Sequence, residues 1–442
     1  MGLRLLMVGA LVMGLAACTP EPERGADETP SAPASPSPAP SASASAASPS
    51  PTAAEPSPSA TTSAAPSASP SPAAPATPQE ELDQLLRDAA WANDVAKARE
   101  LVLQGADVNA KDSTQQSAYL VATSEGYGDL LDLTLVNGAL IDDKDSWNGT
   151  GLIRAAERGH WLVVGKLLEA GIDRDHVNRI GYQAIHESIW LGEDTPDYVT
   201  TVRVLAAGGV QLDRPSGQQG LTPLQKVEQR GHAGQEAALT AALNGQSPAD
   251  PDGTLLQAAA DGDADAAVVA IRAGADLEAR DERQRTPLLL ASANDHVEVA
   301  RVLVALGANP DALDNRSDTP WLVTGVTGSV EMGKTLLLAH PDLTIRNRFG
   351  GLSPIPAGER GHVEYMQWVV GTGVDLDHVN DLGWTALLEA VILGDGGPRH
   401  QQVVQILVDA GVDTSIPDDD GVTALEHARR RGYSEIVAIL GG

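Results

Sequence analysis

Residues 282–314 read ERQRTPLLLASANDHVEVARVLVALGANPDALD, and the order of residue types in this stretch decides the fold. Thr286 before Pro287 places a helix N-cap ahead of a first helical position, where a missing N–H costs nothing. The short run of small and aliphatic residues that follows is one small helix, and His296 marks the turn after it. A second helix carries Val302-Leu303, and Gly307 stands where a left-handed C-cap is needed. A helix pair of this size cannot bury its apolar faces alone, so the unit is stable only when copies of it stack.

The same stations recur outward in both directions with a period of 33 residues. Ala156-Glu-Arg-Gly159-His160 repeats the small-residue helix and its turn, and Gly274-Ala275-Asp276 repeats the stop after the second helix. Residues 79–442 have room for about eleven such units, starting near Glu80, Ser113, Ser146, Arg179, Gly217, Asp252, Glu282, Asn315, Arg348, Asp381 and Asp419. The pattern resembles the ankyrin repeat. That resemblance implies an all-α solenoid of helix–turn–helix units joined by β-turn fingers, and a binding scaffold rather than an enzyme. One unit departs from it at Leu352-Ser-Pro-Ile-Pro-Ala357. Its prolines fit the first helical turn only if the helix starts one residue late with Ser353 as cap, so a distorted helix is expected there.

A longer repeat overlies the short one. At an offset of 202 residues, 82–213 align with 284–415 without a gap. Glu157-Arg-Gly-His160 meets Glu359-Arg-Gly-His362, and Asp175-His-Val-Asn178 meets Asp377-His-Val-Asn380. Both copies carry the same four-residue extension, expected as loops at Glu193–Thr200 and Asp395–Gln402. The array therefore divides into a first block of five repeats, 79–251, and a second of six, 252–442. Asn244–Pro251 forms the seam.

Ahead of the array stand two different segments. In Met1–Cys18, Arg4 precedes an uncharged, mostly apolar run from Leu5 to Ala17, too short for a membrane span and suited to a signal peptide. It ends in Leu15-Ala16-Ala17-Cys18, which is similar to the lipobox of bacterial lipoproteins and falls on the chain's single Cys. That resemblance implies cleavage before Cys18 and acylation of its thiol, hence an extracytoplasmic protein anchored by lipid to a bacterial membrane. Residues 19–78 form the linker. From Thr29 to Pro78 every residue except Glu55 is Ala, Pro, Ser or Thr, a composition expected to stay disordered as a tether.

Composition excludes several functions. Sixty Asp and Glu against 30 Lys and Arg leave a net charge of −30, which argues against nucleic acid and against an electrostatic grip on anionic lipid. The membrane is then reached only through Cys18. One Cys permits neither a disulfide framework nor a thiolate metal cluster. Neither H-E-x-x-H nor G-x-S-x-G occurs, so no catalytic residue, metal or cofactor is expected. Gly328-Ser-Val-Glu-Met-Gly333-Lys334-Thr335 satisfies the P-loop spacing but falls on an inter-helix turn and second helix, without the strand that phosphate binding needs. His160, His232, His296 and His362 occupy the turn, where they are expected to bond backbone of the neighbouring repeat. Asp418-Asp419-Asp420-Gly421 lacks the spaced ligands and closing Glu of a calcium loop and reads as an acidic fingertip.

Aromatics make up only 3% of the chain, so where they fall matters. By the resemblance, Trp91, Trp147, Tyr182, Trp190, Phe349 and Trp384 occupy slots that face the concave groove, and Trp and Tyr are typical binding anchors. Glu157 and Arg158 accompany the first set, Glu359 and Arg360 the second, and Asp395, Arg399 and His400 flank the second. Residues 1–78 carry Arg4 and Arg24 against Glu21, Glu23, Asp27, Glu28 and Glu55, so nearly all the negative charge lies on the array. The expected partner is a protein with a basic surface, bound by a monomer. The alternatives are a P-loop nucleotide binder and a purely structural spacer.

Overall fold

The computed structural model describes residues 78–442; the signal segment, Cys18 and nearly all of the linker lie outside the described residues. Twenty-two helices follow one another with no strand among the described residues, and two isolated bridges, Lys144 with Thr150 and Pro417 with Thr423, are the only β pairing recorded there.

The helices alternate in role. The first helices of the units are α1 (Gln79–Trp91), α3 (Ala118–Glu125), α5 (Gly151–Glu157), α7 (Ala184–Trp190) and α9 (Pro223–Arg230) in the first block. In the second block they are α11 (Pro251–Asp261), α13 (Pro287–Ala293), α15 (Pro320–Thr327), α17 (Pro354–Arg360), α19 (Ala386–Ile392) and α21 (Ala424–Arg431). The second helices are α2 (Val95–Leu103), α4 (Gly128–Val136), α6 (Trp161–Glu169), α8 (Pro196–Ala207) and α10 (Ala233–Asn244), then α12 (Ala264–Arg272), α14 (Val297–Ala305), α16 (Val330–Leu337), α18 (Val363–Val369), α20 (Pro398–Asp409) and α22 (Ser434–Ile439).

Local chemistry explains the starts and stops. The hydroxyls of Thr286, Thr319 and Thr385 accept from the backbone N–H three residues on, at 3.2, 3.1 and 3.1 Å. Three inter-helix turn glycines, Gly126, Gly262 and Gly328, have a second duty beside a His ring. Gly328 lies at φ 74°, and a Cβ there would sit 2.6 Å from the His362 ring. The ring needs that space because its Nε2 bonds the Val326 carbonyl at 3.1 Å, one repeat back. His160 on Ser124 and His296 on Ala260 repeat the contact. His232 departs from it: Arg230 takes over, donating to the carbonyls of Trp190 and Gly192.

The fingers are held by carboxylates and amides rather than by apolar contact. Oδ1 of Asp112, Asp145, Asn178, Asp281, Asp314, Asn347, Asn380 and Asp418 each accepts from backbone N–H groups two and four residues on. Asp418 is thus a turn-former, and its second oxygen meets His427 at 2.6 Å.

Two expectations about the elements need correction. α17 does start one residue late, at Pro354, but Ser353 has helical dihedrals and makes no capping bond. The four-residue extensions are not loops: Pro196 and Pro398 each start a twelve-residue second helix, so most of the insertion is helical.

First helices pack in the order α1–α3–α5–α7–α9, and the ladder restarts as α11–α13–α15–α17–α19–α21, with no comparable packing joining α9 to α11. Instead α12 packs on α8, and α14 on both α6 and α8. Arg203 meets Asp265 at 2.7 Å and Arg301 meets Asp197 at 3.0 Å across this contact. The two stacks lie back to back on their second helices, and the first helices of one block make no comparable contact with those of the other.

Candidate binding grooves

Each stack carries a pocket on its first-helix face, at positions related by the 202-residue offset. The first encloses about 240 Å³. Its walls are Trp147 from a finger, Arg154 and Glu157 from α5, and Asn178, Glu187 and Trp190 from the next unit. Trp147 is 57% exposed, whereas Trp190 is half-buried, its ring 5.6 Å from that of Tyr182 and 3.4 Å from the Lys226 ammonium. Arg154 stands between Asp145 and Glu157, with Nη1 2.6 Å from the latter's Oε2 and a tight contact to the former. Glu187 lies deeper and accepts from Asn178 Nδ2 at 2.6 Å. Burial pushes its carboxyl up, Glu157 adds to that, and Arg154 opposes it.

The second pocket is larger, about 410 Å³, and its walls include Phe349, Glu359, Arg360, Asn380, Glu389 and Pro356. Phe349 is 48% exposed, with the Arg348 guanidinium 4.4 Å from its ring centre. Glu389 is buried and accepts from Asn380 Nδ2 at 3.0 Å, repeating the first copy. Burial, reinforced by Glu359, pushes its carboxyl up to about 7. Arg283, Arg285, Arg316 and Arg348 extend one wall, so this opening is far less acidic than the molecule as a whole.

Several residues singled out from sequence lie elsewhere. Tyr182 is 2% exposed and serves as packing under Trp190. Trp91 is exposed, outside both pockets, and Trp384 is half-buried and outside the second. Arg158 turns to the preceding repeat, donating to Ser124 O at 2.6 Å and Glu125 at 3.1 Å. Asp395, Arg399 and His400 do not line the pocket. His400 bonds the Glu359 carbonyl at 3.0 Å and Asp395 at 2.8 Å, where Tyr198 donates to the Glu157 carbonyl in the first copy. That contact ties the long second helix to the unit before it.

Sequence reasoning missed Arg154, Asn178, Glu187, Asn380, Glu389 and the arginine wall. A signal existed: an Asn followed nine residues later by a Glu within a first helix occurs at the same place in both copies.

The P-loop-like stretch makes no phosphate cradle. Gly328 is the αL cap of α15, Ser329 caps α16, and Lys334 pairs with Glu331 at 2.7 Å on the helix surface. Asp129, Asp132 and His340 do converge, with ligand atoms within 4.8 Å of one another. They are largely solvent-exposed, and Asp132 is engaged by Lys166.

Comparison with known proteins gives a consistent answer. The family model "Ankyrin repeats (3 copies)" matches residues 255–347 and 356–441. The putative ankyrin repeat protein YahD of Escherichia coli is 42% identical over 106 residues, covering 24% of this chain and 53% of YahD. The chain thus spans only about half of YahD's length. A putative ankyrin repeat protein of Rickettsia felis, RF_pd14, is 37% identical over 57 residues, 13% of this chain and 86% of that protein. Among solved structures, an ankyrin repeat domain from Acinetobacter baumannii is 42% identical, covering 42% of this chain and 95% of that one, with a TM-score of 0.41.

Proposed function

The chain belongs to the ankyrin-repeat family, and from that premise we propose that it is a lipid-anchored extracytoplasmic scaffold that captures a protein partner in its first-helix grooves. The observation that carries the binding role is the pair of equivalent pockets, each capped by an exposed aromatic of a finger. An exposed Trp or Phe beside a concavity costs solvation unless a partner covers it. What lines the pockets supports a binding reading: Glu157 is engaged by Arg154, and Glu187 and Glu389 by Asn178 and Asn380 of the fingers.

The anchoring half of the proposal rests on Leu15-Ala16-Ala17-Cys18 and the apolar run before it. The Ala/Pro/Ser/Thr linker would hold the array away from the membrane. Cys18→Ser should leave the precursor unprocessed or release the protein from the detergent phase. Unchanged partitioning of that variant would remove the lipid anchor.

The binding half is tested by pull-down of envelope proteins on the array, wild type against Trp147→Ala and Trp190→Ala. A buried aromatic anchor is worth about 2 kcal/mol or more, so Trp147→Ala should weaken capture by roughly thirtyfold while the thermal midpoint stays near wild type. Trp190 also packs within the protein, so a loss there counts only if stability is retained. Equal capture by all three proteins would make the aromatics padding.

A further inference from the structure

The duplication supplies the molecule with its own comparison. In the first pocket the guanidinium of Arg154 occupies a slot formed by Asp145 and Glu157, with Glu187 behind them. At the equivalent positions of the second pocket Glu359 and Glu389 persist, and Asn347 replaces Asp145 while keeping its turn-forming bonds to the N–H groups of Phe349 and Gly351. The cation is gone: Pro356 stands where Arg154 was. Proline cannot reach the carboxylates. The cavity is larger, about 410 Å³ against about 240 Å³, and it extends further, back to Arg283, Arg285 and Arg316. Carboxylates removed from water without a counter-charge are costly, and Glu389 is the most buried acid here, 6% exposed.

We propose, resting on the scaffold reading above, that the second pocket receives an arginine side chain of the partner protein, seated where the first pocket seats its own Arg154. The guanidinium would pair with Glu359, the counterpart of Glu157, with Glu389 behind it as Glu187 lies behind Arg154, and Phe349 would flank its apolar stem. Arginine fits this slot better than lysine because the group that fills it in the first copy is a planar guanidinium, of whose two carboxylate partners the second pocket keeps the counterpart of Glu157. The surrounding wall sets the context of that arginine. Arg283, Arg285, Arg316, Arg348 and Arg360 line the same opening and repel further positive charge. The pocket therefore selects an arginine flanked by acidic residues, not a polybasic run.

The probe is a fluorescent, acetylated and amidated pentapeptide with a central arginine between two aspartates, titrated by anisotropy against the intact array. Two control peptides carry citrulline in place of arginine, or three consecutive arginines. Wild type should bind the first peptide saturably and both controls at least about tenfold more weakly, the scale of one lost charge-assisted contact. Pro356→Arg should plant the missing guanidinium and abolish binding. Arg154→Ala should empty the first slot and add a second site for the peptide. Circular dichroism matching wild type qualifies each variant. Equal affinity for the citrulline peptide, undiminished binding by Pro356→Arg, or no saturable binding at millimolar peptide would each overturn the assignment. The scaffold reading fails separately: it predicts capture of an envelope protein, and capture that is indifferent to Pro356→Arg would sink the arginine pocket alone.

Discussion

Gly328 and Lys334 belong to one motif on paper and to different problems in the folded chain. Gly328 has φ 74° and gives its missing side chain's volume to His362. Gly328→Ala therefore pays left-handed strain and displaces an inter-repeat bond, and should lower the unfolding free energy by about 1–3 kcal/mol in urea titration. Lys334 touches only Glu331 on the surface, so Lys334→Ala should fall within about 0.5 kcal/mol of wild type and bind no less partner. Glu389 gives a pH signature. Its carboxyl is raised from 4.5 to about 7 in the folded state, so its contribution to stability is fully present below about pH 4.5 and is lost as pH rises through about 7. Glu389→Gln mimics the protonated form and can still accept from Asn380. The variant should match wild type near pH 4.5 and exceed it at pH 8, read from urea midpoints at the two pH values. Glu187→Gln should show a smaller gap, because Arg154 stabilises the ionised Glu187.

At the scale of the element, helix starts were legible wherever a side chain announces them. Thr before Pro marks α13 and α15, and the hydroxyl does cap both. Ser353 shows where that logic stops. Two prolines fix the start of α17, and the preceding residue is drawn into helical dihedrals, so its hydroxyl is no longer placed to accept. Thr385→Ala should cost about 1 kcal/mol, whereas Ser353→Ala should cost clearly less. Equal losses in chemical denaturation would mean that Ser353 caps after all. The extensions were legible as insertions but not as helix, because a proline reads equally as a loop and as a first helical position. The grooves were half legible for a related reason. Slots in the repeat told which finger residues point outward, hence Trp147 and Phe349. They could not tell that Tyr182 lies under Trp190, that Arg158 is spent on the preceding repeat, or that Glu187 and Glu389 turn inward to an Asn of a finger. Those are contacts between units, and a repeat register describes each unit alone.

For the whole molecule, the 33-residue period was visible in sequence, but the back-to-back contact was not. A surface helix carries polar residues on its outer face, so a contact made there leaves only faint marks in the sequence. Gly165 is one. It sits in the middle of α6, where glycine is unfavourable by about 1 kcal/mol relative to alanine. A Cβ at Gly165 would lie 2.0 Å from the Ala305 carbonyl oxygen of α14, so the glycine admits the second stack. Gly165→Ala is thus set between two opposed effects, better helix propensity and a blocked interface. The contact dominates, since backbone atoms cannot yield as a flexible side chain would. Each stack has its own ladder of first helices and should remain folded without the other. The variant should therefore keep its helical circular dichroism while its calorimetric transition separates into two, and proteolysis near Asn244–Pro251 should quicken. A single transition with unchanged midpoint and unchanged cleavage at that seam would mean that the stacks do not depend on this contact and are held by α8 against α12 and α14 and by α10 against α12.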